Sequence, residues 1–251
     1  MSTHPAAQPR GFLSALVAQV SSYLLEPIEE TVEHAEPQLT PHPSVAVVAA
    51  APRCGASTVA RMLAAELASR ADGTAIVGGS VALPRRGAPG TRAAARVAGA
   101  IRGLAPAAGA VQARGRLAFI ANGDARSLVA GVRYLAPVVL DLPADGSAAG
   151  AARACDRVVV VASPAQEPAL ADAVAYVLGG EPIKVLNRAG DPGPWQGRAD
   201  VVIPDARITA RAAVVGARPL GALGAAIAEL ADRLETAGSA SGAWLADLET
   251  A

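Results

Sequence analysis

From Ser44 onward the chain alternates short apolar runs with segments whose apolar residues recur at helical spacing. Val45-Ala46-Val47-Val48 and Val158-Val159-Val160-Val161 are continuous rather than alternating, the pattern of strands buried on both faces. The runs predict strands near 44–50, 73–78, 116–122, 136–141, 156–162, 182–187 and 200–203. Helical spacing predicts helices near 57–70, 91–104, 125–134, 146–154, 168–178, 207–216 and 219–236. Strand–helix alternation of this kind predicts an α/β fold, a doubly wound and mostly parallel sheet with helices on both faces.

The ends read differently. Residues 1–43 form an N-terminal appendage, in which Phe12, Leu13, Leu16, Val17, Val20, Leu24 and Leu25 recur at helical spacing up to Pro27. Five glutamates and a linker with Pro37, Pro41 and Pro43 follow. Such a helix docks on its own domain, binds a protein partner or lies on a membrane surface, and the acidic flank disfavours anionic lipid. The domain itself is expected to span 44–236, with 237–251 as a flexible tail carrying Trp244 and Leu245. Region 79–115, rich in Gly, Pro, Ala and Arg, reads as a solvated loop or as a mobile arginine-bearing loop before a helix.

Composition narrows the chemistry. The chain is 52% hydrophobic but only 3% aromatic, so its core must be built from Ala, Val, Leu and Ile. His4, His34 and His42 all precede the first strand, which excludes a Ser–His–Asp hydrolase. Cys54 and Cys155 make no disulfide framework and have no metal-ligand spacing around them. A formal net charge of zero gives no electrostatic case for nonspecific nucleic-acid binding. With no apolar run of membrane-spanning length and a poor signal peptide, a cytoplasmic location is expected. Lys184 is the only lysine, so any role that demands one has a single candidate.

The informative segment is Ser44 to Ala68, where a buried strand enters a tight loop that opens directly into an amphipathic helix. A loop of this form aims backbone N–H groups and a helix N-terminus at one spot, which suits an anion. Set against the phosphate-loop spacing G-x-x-x-x-G-K-[ST], the aligned residues are Ala50, then 51–54, then Gly55-Ala56-Ser57. The second glycine and the hydroxyl are present; the first glycine and the lysine are not. Ser57 and Thr58 either cap the helix or contact phosphate and magnesium. Cys54, beside the helix start, is either a reactive thiol or a small filler.

Ala51 to Thr58, followed by Val59-Ala60-x-x-Leu63-Ala64, resembles the ParA/MinD deviant loop K-G-G-x-G-K-T-T and x-A-x-x-L-A. The resemblance implies a P-loop NTPase with ATP and magnesium as cofactors. The family's two lysines fall here on Ala51 and Ala56, leaving Arg53 as the cation inside the loop. Residues 75–80 resemble the second strand, whose usual acidic end is replaced by Gly78, Gly79 and Ser80, and residues 117–123 the third. Pro137 to Pro143 resembles the Walker B strand, making Asp141 the acceptor from magnesium-bound water or from the loop hydroxyl. Asn187 and Arg188 resemble the strand end at which an asparagine reads adenine, and Pro204 opens the segment that wraps the base. The likeness covers about residues 44–236.

The resemblance thus implies a nucleotide site formed by Arg53, Cys54, Gly55, Ala56, Ser57, Thr58, Asn187, Arg188 and Pro204, with Ser57 and Asp141 on magnesium. Each charge-assisted hydrogen bond is worth ~1.5–3 kcal/mol. Losing two lysines should therefore weaken triphosphate binding by roughly two to four orders of magnitude. Weak or absent ATP hydrolysis is expected, in a spatial-positioning or assembly factor of the division, partition or pilus kind. Protein partners, through the N-terminal helix, and a homodimer are the expected contacts. The alternative is an active ATPase in which Arg53 replaces the lysine. A third possibility, an enzyme acting on some other anion, would need a general base that the sequence does not offer near Asp141.

Overall fold

The computed structural model describes residues 40–249 except 72, 80–82, 85–87, 105–108, 122–124, 146, 214 and 215, and describes backbone alone at 125–127, 147, 212, 213 and 237–249. The expected N-terminal helix, and Arg85 and Arg86 of the Arg-rich loop, lie outside the described residues. Eight strands form one sheet: β1 Ser44–Ala49, β2 Ala75–Gly79, β3 Val111–Arg114, β4 Leu117–Ile120, β5 Val138–Leu142, β6 Arg157–Ala162, β7 Ile183–Ala189 and β8 Val201–Pro204. Their order across the sheet is β3-β4-β2-β5-β1-β6-β7-β8. All pair in parallel except β3, which runs antiparallel to β4. The helices are α1 Ala56–Arg70, α2 Arg92–Leu104, α3 Ala125–Val132, α4 Ser147–Ala152, α5 Pro168–Leu178, α6 Arg207–Ala213 and α7 Gly221–Glu249. The doubly wound, mostly parallel α/β fold expected from the alternation is the one observed.

Period-two geometry divides the core into two halves. Val45 and Val47 of β1 face α1 and α7, together with Leu63, Leu67, Ile227 and Leu230. Ala46 and Val48 face the opposite layer, with Ile101 of α2, Val129 of α3 and Leu178 of α5. Both faces of the central strands are thus dry, which explains their unbroken apolar runs. Helix α1 is the most enclosed helix: ten of its fifteen residues are buried, eight of them Ala, Val, Leu or Met at 0–4% exposure.

One buried residue on α1 is charged. Glu66, 1% exposed, accepts from Arg218 Nε at 2.7 Å and Nη2 at 3.0 Å, and from Arg70 Nε at 3.1 Å. Arg70 continues to Asp232 and Glu235 on α7, so this network joins α1 to the last helix. Burial pushes the Glu66 carboxyl upward, but the hydrogen bonds and charges of Arg218 and Arg70 outweigh it and hold the acid below its ordinary value.

Two elements differ from expectation. Strand β3 was not expected, because Val111-Gln-Ala-Arg has no apolar run. It forms a hairpin with β4 through Gly115-Arg116, and Gly115 takes the positive φ of 50° that the first residue of a two-residue II′ turn requires. Helix α7 continues in backbone to Glu249, through the segment read from sequence as a tail.

Candidate functional site

Parallel strands present their carboxyl ends on one edge, where open α/β sheets bind ligands. Here the ends of β1, β5 and β7 converge on a cavity of about 570 Å³. Its walls are the loop after β1, the turn after β5 and Arg188.

The loop turns into α1 at Gly55, whose φ of 89° lies in the left-handed region. Its tightness has a second cause, since a Cβ there would fall on Asn187 Nδ2 and lie 2.9 Å from Arg188 Nη2. Asn187, buried at the end of β7, donates from Nδ2 to the Cys54 carbonyl oxygen at 2.9 Å and pins the loop from the neighbouring strand. Cys54 is 1% exposed and packs in the α1-side core, which is the filler reading of that residue. Ala56 is buried in the same cluster. Gly55, rather than Ser57 or Thr58, holds the N-cap position. Thr58, half-buried, bonds through its N–H to the Gly55 carbonyl.

Ser57 instead directs its hydroxyl to the Asp141 carboxylate on β5. Asp141 is 5% exposed, and burial pushes its pKa up against the opposing hydrogen bond from Ser57 and charge of Arg61. Arg61 stands one helical turn after Ser57, with its guanidinium carbon 5.7 Å from the centroid of the Phe119 ring. Sequence reasoning missed Arg61, although the i, i+4 relation to Ser57 places both on one face of α1.

The end of β2 approaches Asp141 from the other side. Gly79 is in register with Asp141, and a Cβ on Gly79 would collide with the Asp141 carbonyl oxygen. Its φ is 97°, so the glycine that stands where an acid was expected is required by backbone crowding. Lys184 is distant. It lies at the start of β7, about 10 Å along the strand from Asn187 at ~3.3 Å per residue. Its Nζ pairs with Asp172 of α5 at 3.0 Å.

At the other end of β7 the ladder with β8 is irregular. Asn187 pairs with Ile203 and Ala189 with Pro204, so Arg188 is the extra residue of a bulge, beside Pro204. Arg53 and Arg188, at φ 65° and 62°, are the two non-glycine residues with positive φ among the described residues. Both are exposed and both line the cavity. The resemblance put both at one site; their left-handed backbone was not visible in the sequence. Of the residues expected at the site, Arg53, Cys54, Gly55, Ala56, Ser57, Asp141 and Arg188 line this cavity and Asn187 holds its loop, whereas Thr58 and Pro204 are not among the lining residues.

The chemistry open to this edge is anion and hard-cation binding. The first-turn N–H groups of a helix lack intrahelical acceptors and favour negative charge. Ser57 Oγ and Asp141 offer the oxygen donors that magnesium prefers. Among the described residues no helix is long and apolar enough to cross a membrane.

No protein-family model matches the chain. No curated protein matches it either. Solved structures do. A ParA family ATPase from Chlorobium tepidum TLS superposes with a TM-score of 0.53 at 16% identity, covering 76% of this chain and 98% of that one. The MinC:MinD cell division protein complex of Aquifex aeolicus gives 0.54 at 16%, covering 77% and 96%. At such identities the likeness is one of fold, and the fold is that of the ParA/MinD P-loop proteins.

Proposed function

We propose that this ParA/MinD-fold protein binds a nucleotide phosphate weakly at the β1–α1 loop, hydrolyses it little or not at all, and acts as a spatial-positioning or assembly factor. The observation that carries the reading is the hydrogen bond from Ser57 to buried Asp141 at the mouth of a cavity of about 570 Å³. A loop hydroxyl and a strand-end acid from separate elements meet where a phosphate and its magnesium would sit. The residues fit such a group: Gly55 leaves the loop free of a Cβ, and Ser57 and Asp141 would hold the metal, whose charge would offset that of the phosphates.

Weak turnover follows from the same residues. Ala51 and Ala56 bring no charge to the loop, and Gly79 cannot orient a water. Phosphoryl transfer depends mostly on positioning and on stabilising developing charge, so a site short of cations should lose more in rate than in binding. A protein that retains a nucleotide-responsive fold without fast chemistry is suited to contact partners, including a second copy, rather than to turn over substrate. Division, partition and pilus assembly are the settings in which such proteins work, and the Aquifex neighbour is a complex with a protein partner.

The test is isothermal titration with Mg-ATP alongside a phosphate-release assay. Turnover at or above about 1 s⁻¹, the low end of ordinary enzymes, would overturn the reading. Arg53 motivates a second reading, an active ATPase gripped by its guanidinium, because it lines the cavity in a strained conformation. Submillimolar binding that disappears in Arg53→Ala would favour that second reading.

A further inference from the structure

Resting on the phosphate-binding reading, we infer that Arg188 supplies the cationic grip that the loop lacks, delivered from β7 by a bulge rather than from the loop itself.

The path from sequence to geometry is short. Leu186 and Ala189 both face the α5-side core, although strict alternation would put residues 186 and 188 on that face. The extra residue between Asn187 and Ala189 removes Arg188 from the alternation. Without the bulge its guanidinium would point into an apolar layer; with it, the side chain leaves the sheet toward the loop. The Arg188 Nη2 and Nε atoms come within 2.9 and 3.4 Å of the point where a Gly55 Cβ would sit. The guanidinium thus lies against the turn that opens α1.

The conformation adds weight. A non-glycine residue at φ 62° is strained, and such strain persists where the surroundings over-determine it. Arg53 at φ 65° shares this property and this cavity. Two arginines held in an unfavourable backbone state and lining one cavity form a clamp for a phosphate-bearing anion, the ligand that a planar fork of donors matches best. Arg61, close by on α1, faces the charge of Asp141, and the distant Lys184 pairs with Asp172.

The decisive variant is Arg188→Gly, because glycine accepts the bulge's left-handed conformation while removing the charge. The full chain and its Arg188→Gly and Arg188→Lys variants are titrated with Mg-ATP and with inorganic triphosphate, and Tm is measured for each. The expected result is a loss of affinity of at least about tenfold for Arg188→Gly with Tm unchanged or raised. Arg188→Lys should lie between, keeping a point charge without the fork. Unaltered binding in Arg188→Gly overturns the inference and leaves the phosphate reading standing. Lost binding accompanied by a fall in Tm would assign Arg188 to holding the strand together and likewise overturn it. Failure of the unaltered chain to bind either probe at millimolar concentration overturns both.

Discussion

Asn187 Nδ2 and the Cys54 carbonyl oxygen, 133 residues apart in the chain, meet at 2.9 Å and fasten the β1–α1 loop to the end of β7. Removing the amide in Asn187→Ala leaves a carbonyl without this donor and frees the loop beside the bulge. Loss of a buried partner costs about 1–3 kcal/mol. Urea denaturation should show that loss as a lower midpoint at unchanged slope, and anion binding should weaken in parallel.

Asp141→Asn should behave in the opposite sense for stability. Burial raises the folded pKa of Asp141 above its unfolded value, so the folded chain holds the proton more tightly. The contribution of this group to stability is therefore greatest at low pH and falls as pH rises through that raised value. An amide removes the charge and still accepts from Ser57. Stability at pH 7 should be equal or higher in the variant, while magnesium-dependent nucleotide binding is lost. A site of purely structural purpose would instead lose stability.

Glu66 carries the reverse dependence. Its folded pKa is held below the unfolded one, so its stabilisation is complete above the ordinary carboxylate range and disappears as pH falls through the depressed value. Glu66→Gln should be less stable at pH 7 by about 1–3 kcal/mol, because Arg218 and Arg70 lose the negative charge and one of the two acceptor oxygens of the carboxylate. Its acid-denaturation curve should be flatter than that of the unaltered chain. Thermal melts from pH 7 down to pH 3 would check both.

Gly55→Ala tests the crowding at the loop. The left-handed backbone alone costs a non-glycine residue about 1–2 kcal/mol. The new methyl would also collide with the Asn187 amide and crowd the Arg188 guanidinium. The variant should lose more stability than Gly73→Ala, where φ is similarly positive at 86° but nothing stands within 4 Å. Comparing the two Tm shifts isolates the contact from the backbone strain.

Much of this architecture was readable before any coordinates. Seven of the eight strands announced themselves, because a strand covered on both faces must be apolar throughout, as Val158 to Val161 are. Strand β3 escaped because an edge strand at partial exposure needs no such run; its signal was the Gly115-Arg116 turn. Asp141 was legible as an acid following an apolar strand, and its meeting with Ser57 was what the ParA/MinD resemblance implied. Arg61 was hidden by its helix, where an arginine reads as surface until the partner across the sheet is known. Arg188 was placed at the nucleotide site by the ParA/MinD resemblance, but the bulge that aims it there was not visible. A bulge depends on the register between two strands, and one strand's sequence does not contain it. Gly79 shows the same limit from the other side: what read as a missing acid is a backbone that must pass close to Asp141.

The isolation of Lys184 at the start of its strand has a chemical corollary. Reagents and enzymes that acylate side-chain amines have one target here, and it sits on Asp172 rather than in the cavity. Acetylation, which disarms a lysine-gripped loop by erasing its charge, would leave this one untouched, whereas a dicarbonyl that condenses with guanidinium would strike it directly. A fluorophore coupled to that solitary amine would therefore follow the protein among its partners without blocking the crevice.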